Sequence, residues 1–183
     1  KQIIRAGEAA EKKNLKIAAG LMCRHSAARQ ALIEKIRQGA LGDVLLVRAY
    51  RMDSGGRMGP FQKEQKELLW QLRRPACFLW ASSGLFIELM IHQIDECCWL
   101  MDGFPVEAHG LGGRTANSTD ASQNLDNYSI EYTFANGAKA FVQGRYVPNC
   151  FNEFATWVHG TKCAAQFSGN VHAPTVQMYQ DQR

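Results

Sequence analysis

The stretch from Gly84 to Gly103, GLFIELMIHQIDECCWLMDG, limits the fold more than any other part of the chain. Bounded by glycines and apolar on most sides, it reads as a helix of about five turns around which the other elements are arranged. Three ionisable residues, Glu88, His92 and Asp95, interrupt its apolar surface. Their i, i+4, i+7 spacing puts all three within an arc of about 60° on a straight α-helix. Trp99 continues the stripe one turn on. Carboxylates are rarely buried without a partner, and a histidine between two of them supplies one. Candidate chemistry begins at this stripe.

From the residues alone, three readings of the stripe stand open. As an acid–base pair, His92 moves a proton near neutral pH while a neighbouring carboxylate fixes its tautomer. As a metal site, one histidine and two carboxylates need further ligands from elsewhere in the chain. As a structural cluster, the three satisfy one another or cap nearby backbone. His25, His109, His159 and His172 are isolated in the sequence and read as surface or satisfied core positions.

The first part of the chain has a different character. Residues 1–13 read as a helix, with Asn14 as a left-handed stop. LKIAAGLM, Leu15 to Met22, is apolar almost without alternation, the pattern of a strand covered on both faces in a parallel sheet. Ser26 is placed to cap a second helix carrying Ala28, Leu32, Ile33 and Ile36 inward and stopping at Gly39. Asp43 to Arg51 is a second strand, and none of the later strands reads as parallel. Residues 1–40 are therefore expected to be the end of a doubly wound domain whose body lies upstream. Arg24, just after the apolar run, falls where ends of parallel strands meet ligands, so it is a candidate cofactor contact; a salt bridge is the plainer alternative.

Residues 52–83 read as irregular, with Gly55, Gly56, Gly59 and Pro60 in a loop before a charged helical stretch. Trp70, Phe78 and Trp80 either line a pocket or pack this segment down; Trp80 is the candidate substrate contact. Beyond Gly103 the pattern turns antiparallel. Val106 to Arg114 and Asn127 to Phe134 alternate, Asn136-Gly137 predicts a two-residue type I′ turn, and AKAFVQGRYV returns from it. FATWVHG and CAAQFSG flank Thr161-Lys162 as another hairpin. The expected fold is α+β: a largely antiparallel sheet packed by helices, one face open as a dimer surface.

Charge narrows the partners. The chain is formally +4, but its 21 Lys and Arg are scattered, so nucleic acid is not suggested. No apolar run approaches the ~20 residues of a membrane span. The first residues, KQIIRAGEAAEKKN, lack the apolar core of a secretion signal; one belonging to a longer parent would lie upstream. None of the six cysteines forms a C-x-x-C pair, which points to buried thiols and a cytoplasmic setting rather than zinc or a disulfide framework.

Three pieces then carry a family resemblance: AGLMCRHSAARQALIEKIRQGALGDVLLVRAYR, WASSGLFIELMIHQIDECCWLMDGFPVEAHGLGGR, and YTFANGAKAFVQGRY with HGTKCAAQFSG. Together they resemble the C-terminal portion of the glucose–fructose oxidoreductase / inositol dehydrogenase / MocA family of NAD(P)-dependent oxidoreductases. The resemblance implies a Rossmann domain for the cofactor and a C-terminal domain, here residues 41–183, whose open sheet serves a homodimer or tetramer. It implies a sugar, inositol or related polyol as substrate. It implies His92 as the base taking the hydroxyl proton, Glu88 as its electrostatic partner in a place usually held by Asp, and Asp95 in orientation. The family's Glu-Lys-Pro lysine and its Gly-x-Gly-x-x-Gly turn do not occur here. NAD or NADP is thus expected in the full-length parent, and neither binding nor turnover is expected of this stretch alone.

Overall fold

A computed structural model describes residues 2–18, 20–54, 58–115, 118–168 and 175–180. Its first helix, α1 (Gln2–Lys12), buries none of its side chains, and Ile3 and Ile4 face solvent. Asn14 stops it at φ 54°, the left-handed conformation expected of it. The described residues between 15 and 22 form no strand, and Leu15, Ile17 and Met22 are exposed. The expected strand here is corrected. Two-sided burial needs neighbouring strands, and the seven strands of the sheet all pair elsewhere.

A short 3₁₀ turn (Met22–His25) leads into α2 (Ala27–Arg37). Ser26 Oγ accepts from the Arg29 N–H at 3.4 Å, the predicted cap. Leu32, Ile33 and Ile36 face inward, Ala28 is half-buried, and Gly39 ends the turn at φ 84°. The next strand, β1 (Val44–Asp53), becomes the centre of the sheet.

The remaining helical pieces are α3 (Glu67–Leu72), a 3₁₀ turn (Pro75–Cys77), α4 (Leu79–Ser82), a π-helical turn (Phe86–Met90) and α5 (Ile91–Leu100). Among the described residues six strands come after them: β2 (Glu107–Gly113), β3 (Asn127–Thr133), β4 (Lys139–Tyr146), β5 (Glu153–Gly160), β6 (Ala164–Ser168) and β7 (Gln177–Tyr179). The sheet order is β2-β3-β4-β1-β5-β6-β7. All pairings are antiparallel except β1 with β4, so the expectation of no parallel partner fails at one place. That place is β1, which enters between two strands adjacent in sequence and can oppose only one of them. The α+β architecture with a largely antiparallel, open sheet is the one expected.

Alternation decides which face is covered. Val47, Ala49, Val142, Ile130, Val158, Ala165 and Phe167 point to the helical layer, where Met90, Cys97 and Leu100 of the long helix and Leu32, Ile33 and Ile36 of α2 meet them. Each large side chain so buried contributes about 1.5–3 kcal/mol. The opposite face carries Arg48, Tyr50, Trp157 and His159, with Trp157 stacked on Tyr179 at 5.7 Å.

The turn at Asn136-Gly137 differs from its prediction. Phe134 N–H bonds Ala138 O at 3.0 Å and Gly137 N–H bonds Phe134 O at 2.9 Å, closing a three-residue loop. Gly137 alone is left-handed, at φ 86°, while Asn136 uses its Oδ1 to accept from Ala138 N–H. A type I turn ending in a left-handed glycine satisfies the same strands, and the dipeptide does not separate the two solutions. The Thr161-Lys162 hairpin is as predicted, closed by Gly160 N–H to Cys163 O at 3.0 Å.

Candidate active site

The long helix does not run straight from Gly84. Gly84 is left-handed at φ 73°, and Leu85 N–H donates to Asn124 Oδ1 at 2.9 Å. A π turn over Phe86–Met90 precedes the regular turns of α5. A π turn holds more residues than an α turn, so it rotates the side chains on its N-terminal side relative to those of the next turns. The single arc expected for Glu88, His92 and Asp95 is therefore broken. Glu88 is exposed, His92 half-buried and Asp95 buried.

Asp95 faces Arg24. Arg24 Nε lies 3.0 and 2.9 Å from the two carboxylate oxygens, and Nη2 lies 2.8 Å from Oδ1. The same guanidinium covers the Trp99 ring at 5.5 Å. Hydrogen bonding to Asp95 raises the Arg24 pKa further. Arg24 is thus engaged by Asp95, the salt bridge weighed as its alternative. This pair borders a cleft of about 910 Å³ that also meets Ile94, Trp99, Phe104 and Tyr132. Neither His92 nor Glu88 lines that cleft.

His92 turns instead toward β5. Its ring centroid lies 6.4 Å from that of Phe154, at 39°. One turn on, Glu96 meets the next residue of the same strand face: Thr156 Oγ1 donates to Glu96 Oε2 at 2.6 Å. Arg29 Nε from α2 stands 2.9 Å from Glu96 Oε1, with the two side chains 2% and 0% exposed. Burial pushes the Glu96 carboxyl up, opposed by the Thr156 hydroxyl, Arg29 and Cys23. Cys23 in turn is pushed up to about 12, chiefly by burial and then by the charge of Glu96. Sequence reasoning missed this cluster. The available signal was Arg29 itself, which continues the apolar stripe of Leu32, Ile33 and Ile36 and so demands a buried partner.

A second missed residue is Asn124, 3% exposed. Besides receiving Leu85 N–H, its Nδ2 donates to Ala76 O at 2.8 Å. Next to it, Gln123 N–H bonds Cys77 O at 2.8 Å and Gln123 Oε1 accepts from Leu79 N–H at 2.9 Å. The loop before β3 thereby ties down the aromatic segment and the start of the long helix together. Within that segment Phe61, Trp70 and Phe78 pack edge to face, at 5.4 and 5.3 Å. Trp80 stays 58% exposed, its Nε1–H fixed on Gln71 Oε1 at 2.6 Å.

The other histidines are scattered. His25 is exposed, His109 pairs with Glu107 at 3.0 Å on exposed β2, and His159 lies on the open sheet face. His172, Gly55 and Gly56 lie outside the described residues. Cys23, Cys77, Cys97 and Cys163 are buried as expected, whereas Cys98 is half-buried and Cys150 exposed. Among the described residues no group of three His, Cys, Asp or Glu side chains is placed to hold a metal ion. No helix among them is long and apolar enough to cross a membrane. Arg24, the candidate cofactor contact, has its guanidinium held by Asp95.

A model of the GFO/IDH/MocA C-terminal domain matches residues 29–166. A search of curated proteins finds no match. Among solved structures, an aldose–aldose oxidoreductase from Caulobacter crescentus, complexed with glycerol, superposes with a TM-score of 0.71 at 18% identity, covering 96% of this chain and 48% of that one. A putative myo-inositol dehydrogenase from Sinorhizobium meliloti gives 0.68 at 18% identity, with 97% and 51% covered. The WlbA dehydrogenase from Bordetella pertussis, in complex with NADH and UDP-GlcNAcA, gives 0.70 at 16% identity, with 96% and 50% covered. At such identities the likeness is one of fold, and the chain spans about half the length of each of these proteins.

Proposed function

The chain belongs to the GFO/IDH/MocA family, and on that premise we propose that it forms the substrate-facing C-terminal half of an NAD(P)-dependent oxidoreductase acting on a sugar, inositol or related polyol. Residues 1–40 are then the end of the dinucleotide-binding domain and residues 41–183 the substrate and oligomerisation domain. The cofactor, held by the other half, supplies the hydride acceptor.

The observation that carries this reading is His92, half-buried on the central helix of the matched domain and backed by the Phe154 ring. A neutral imidazole there accepts the hydroxyl proton as the carbon gives up hydride. Glu88, exposed on the π turn one turn earlier, is the carboxylate assigned to the same site. Asp95 works at one remove: tied to Arg24, it fixes the rotation of the helix. Trp80 offers an exposed ring of fixed orientation to the apolar face of a sugar. The open sheet face, with Trp157 and Tyr179 stacked on it, is the surface through which copies of the chain associate.

His92→Ala in the full-length enzyme tests the assignment. Turnover is expected to fall by about 10²–10⁴-fold with cofactor affinity retained, the usual contribution of a positioned general base. Turnover unchanged in that variant refutes the base.

A further inference from the structure

Arg51 stands at the middle of the sheet with its side chain on the covered face, 7% exposed. A cation is expensive there, and its buried Nε–H meets no acceptor among the described residues. An apolar side chain would fill the same space without that penalty, so packing alone does not account for arginine. Its surroundings do. Arg51 lies directly across the β1–β5 pairing from Phe154, and its guanidinium covers the Phe154 ring at 4.7 Å. Asp53 Oδ2, two residues on and on the same face, receives Arg51 Nη2 at 3.1 Å and fixes the direction of the guanidinium. Phe154, 4% exposed, then meets the His92 ring.

We infer that Arg51 is a positioning residue for His92, acting through the ring of Phe154. A cation held against an aromatic face in a dry environment restrains that ring more than dispersion does. The restrained ring forms the wall against which the imidazole sets its plane. Asp53, Arg51, Phe154 and His92 make one line of contact from the sheet to the candidate base. The inference deepens the role proposed for His92 and rests on it for its functional meaning, but the geometry is testable without turnover.

The test is aromatic NMR of this chain, with the His92 signals assigned by their loss in H92Q. In the unsubstituted chain, nuclear Overhauser contacts are expected between the His92 and Phe154 rings, with a ring-current displacement of the His92 protons. In R51M both are expected to weaken while His109 and the amide spectrum away from the site stay in place. In R51K, which keeps a cation, they are expected to return. Unchanged His92 signals in R51M overturn the inference, and R51K behaving like R51M overturns it too, since lost packing is then the cause. If R51M does not fold, R51Q, which removes the cation and keeps a polar side chain, is the second variant; His92 signals unmoved by it overturn the inference equally. In the full-length enzyme R51M is expected to lower kcat with KM unchanged. Failure of His92 as base appears separately, as an H92A variant that keeps its turnover.

Discussion

Glu96 and Arg29 place opposite charges where the chain leaves them no water, and each is tolerable only because of the other. Thr156 takes up the second carboxylate oxygen, so the pair joins α2, the long helix and β5 at one point. Removing one partner strands the other. Glu96→Leu is expected to destabilise the fold by about 3–5 kcal/mol in urea denaturation, and combining it with Arg29→Met to recover most of that loss. A double variant no better than the single would mean that the two side chains do not depend on one another. His92 sits one turn before Glu96 on the same helix, against Phe154, the strand neighbour two residues before Thr156.

At the level of elements, the start of the long helix matters most. Leu85, at the N-terminal end of the π turn, has no capping side chain of its own, and Asn124, from a loop 39 residues later, accepts its N–H. The same amide holds Ala76, so one side chain joins the helix start to the segment that presents Trp80. Asn124→Ala leaves a buried donor and a buried acceptor unsatisfied. It is expected to cost about 1–3 kcal/mol and to speed amide exchange at Leu85. Equal exchange at Leu85 in the two proteins would show that the helix start is held by something else. The π turn belongs to the same scale. It moves Glu88 off the face shared by Asp95 and Trp99, and no spacing rule that assumes 3.6 residues per turn anticipates it.

Over the whole molecule, the helices cover one face of the sheet and leave the other to Arg48, Tyr50, Trp157, His159 and Tyr179. Aromatic side chains grouped on a sheet face without helices are what the proposed association through that face would bury. Light scattering is expected to find a dimer at micromolar concentration and Trp157→Glu to return it to monomers. A monomer throughout the concentration range would remove the association reading and leave the fold untouched. Exposed apolar residues also occur before α2, at Ile3, Ile4, Leu15 and Ile17, and others, Phe104, Leu111 and Phe151 among them, are spread over the rest of the described residues.

Much of this architecture is visible in the order of residues. Ser26 and Gly39 bound α2, alternation in NYSIEYTF and AKAFVQGRY marks β3 and β4, and the helix carrying His92 and Asp95 is evident from its apolar length. These are local matters: caps, periods and turns act over a few residues, so the sequence alone determined them. The family resemblance was legible for the same reason, being carried by local motifs. Only the tertiary structure decided which charges meet. Arg24 lies 71 residues from Asp95, and Thr156 lies 60 from Glu96, distances over which no pattern rule operates. It also decided that β1 runs parallel to β4, and that Leu15, Ile17 and Met22, in a run as apolar as any buried strand, lie exposed where no strand of the sheet runs beside them. Burial depends on what is packed alongside. The helix at Gly84 to Gly103 is therefore written in the sequence, and the partners of its polar residues are settled by the elements folded around it.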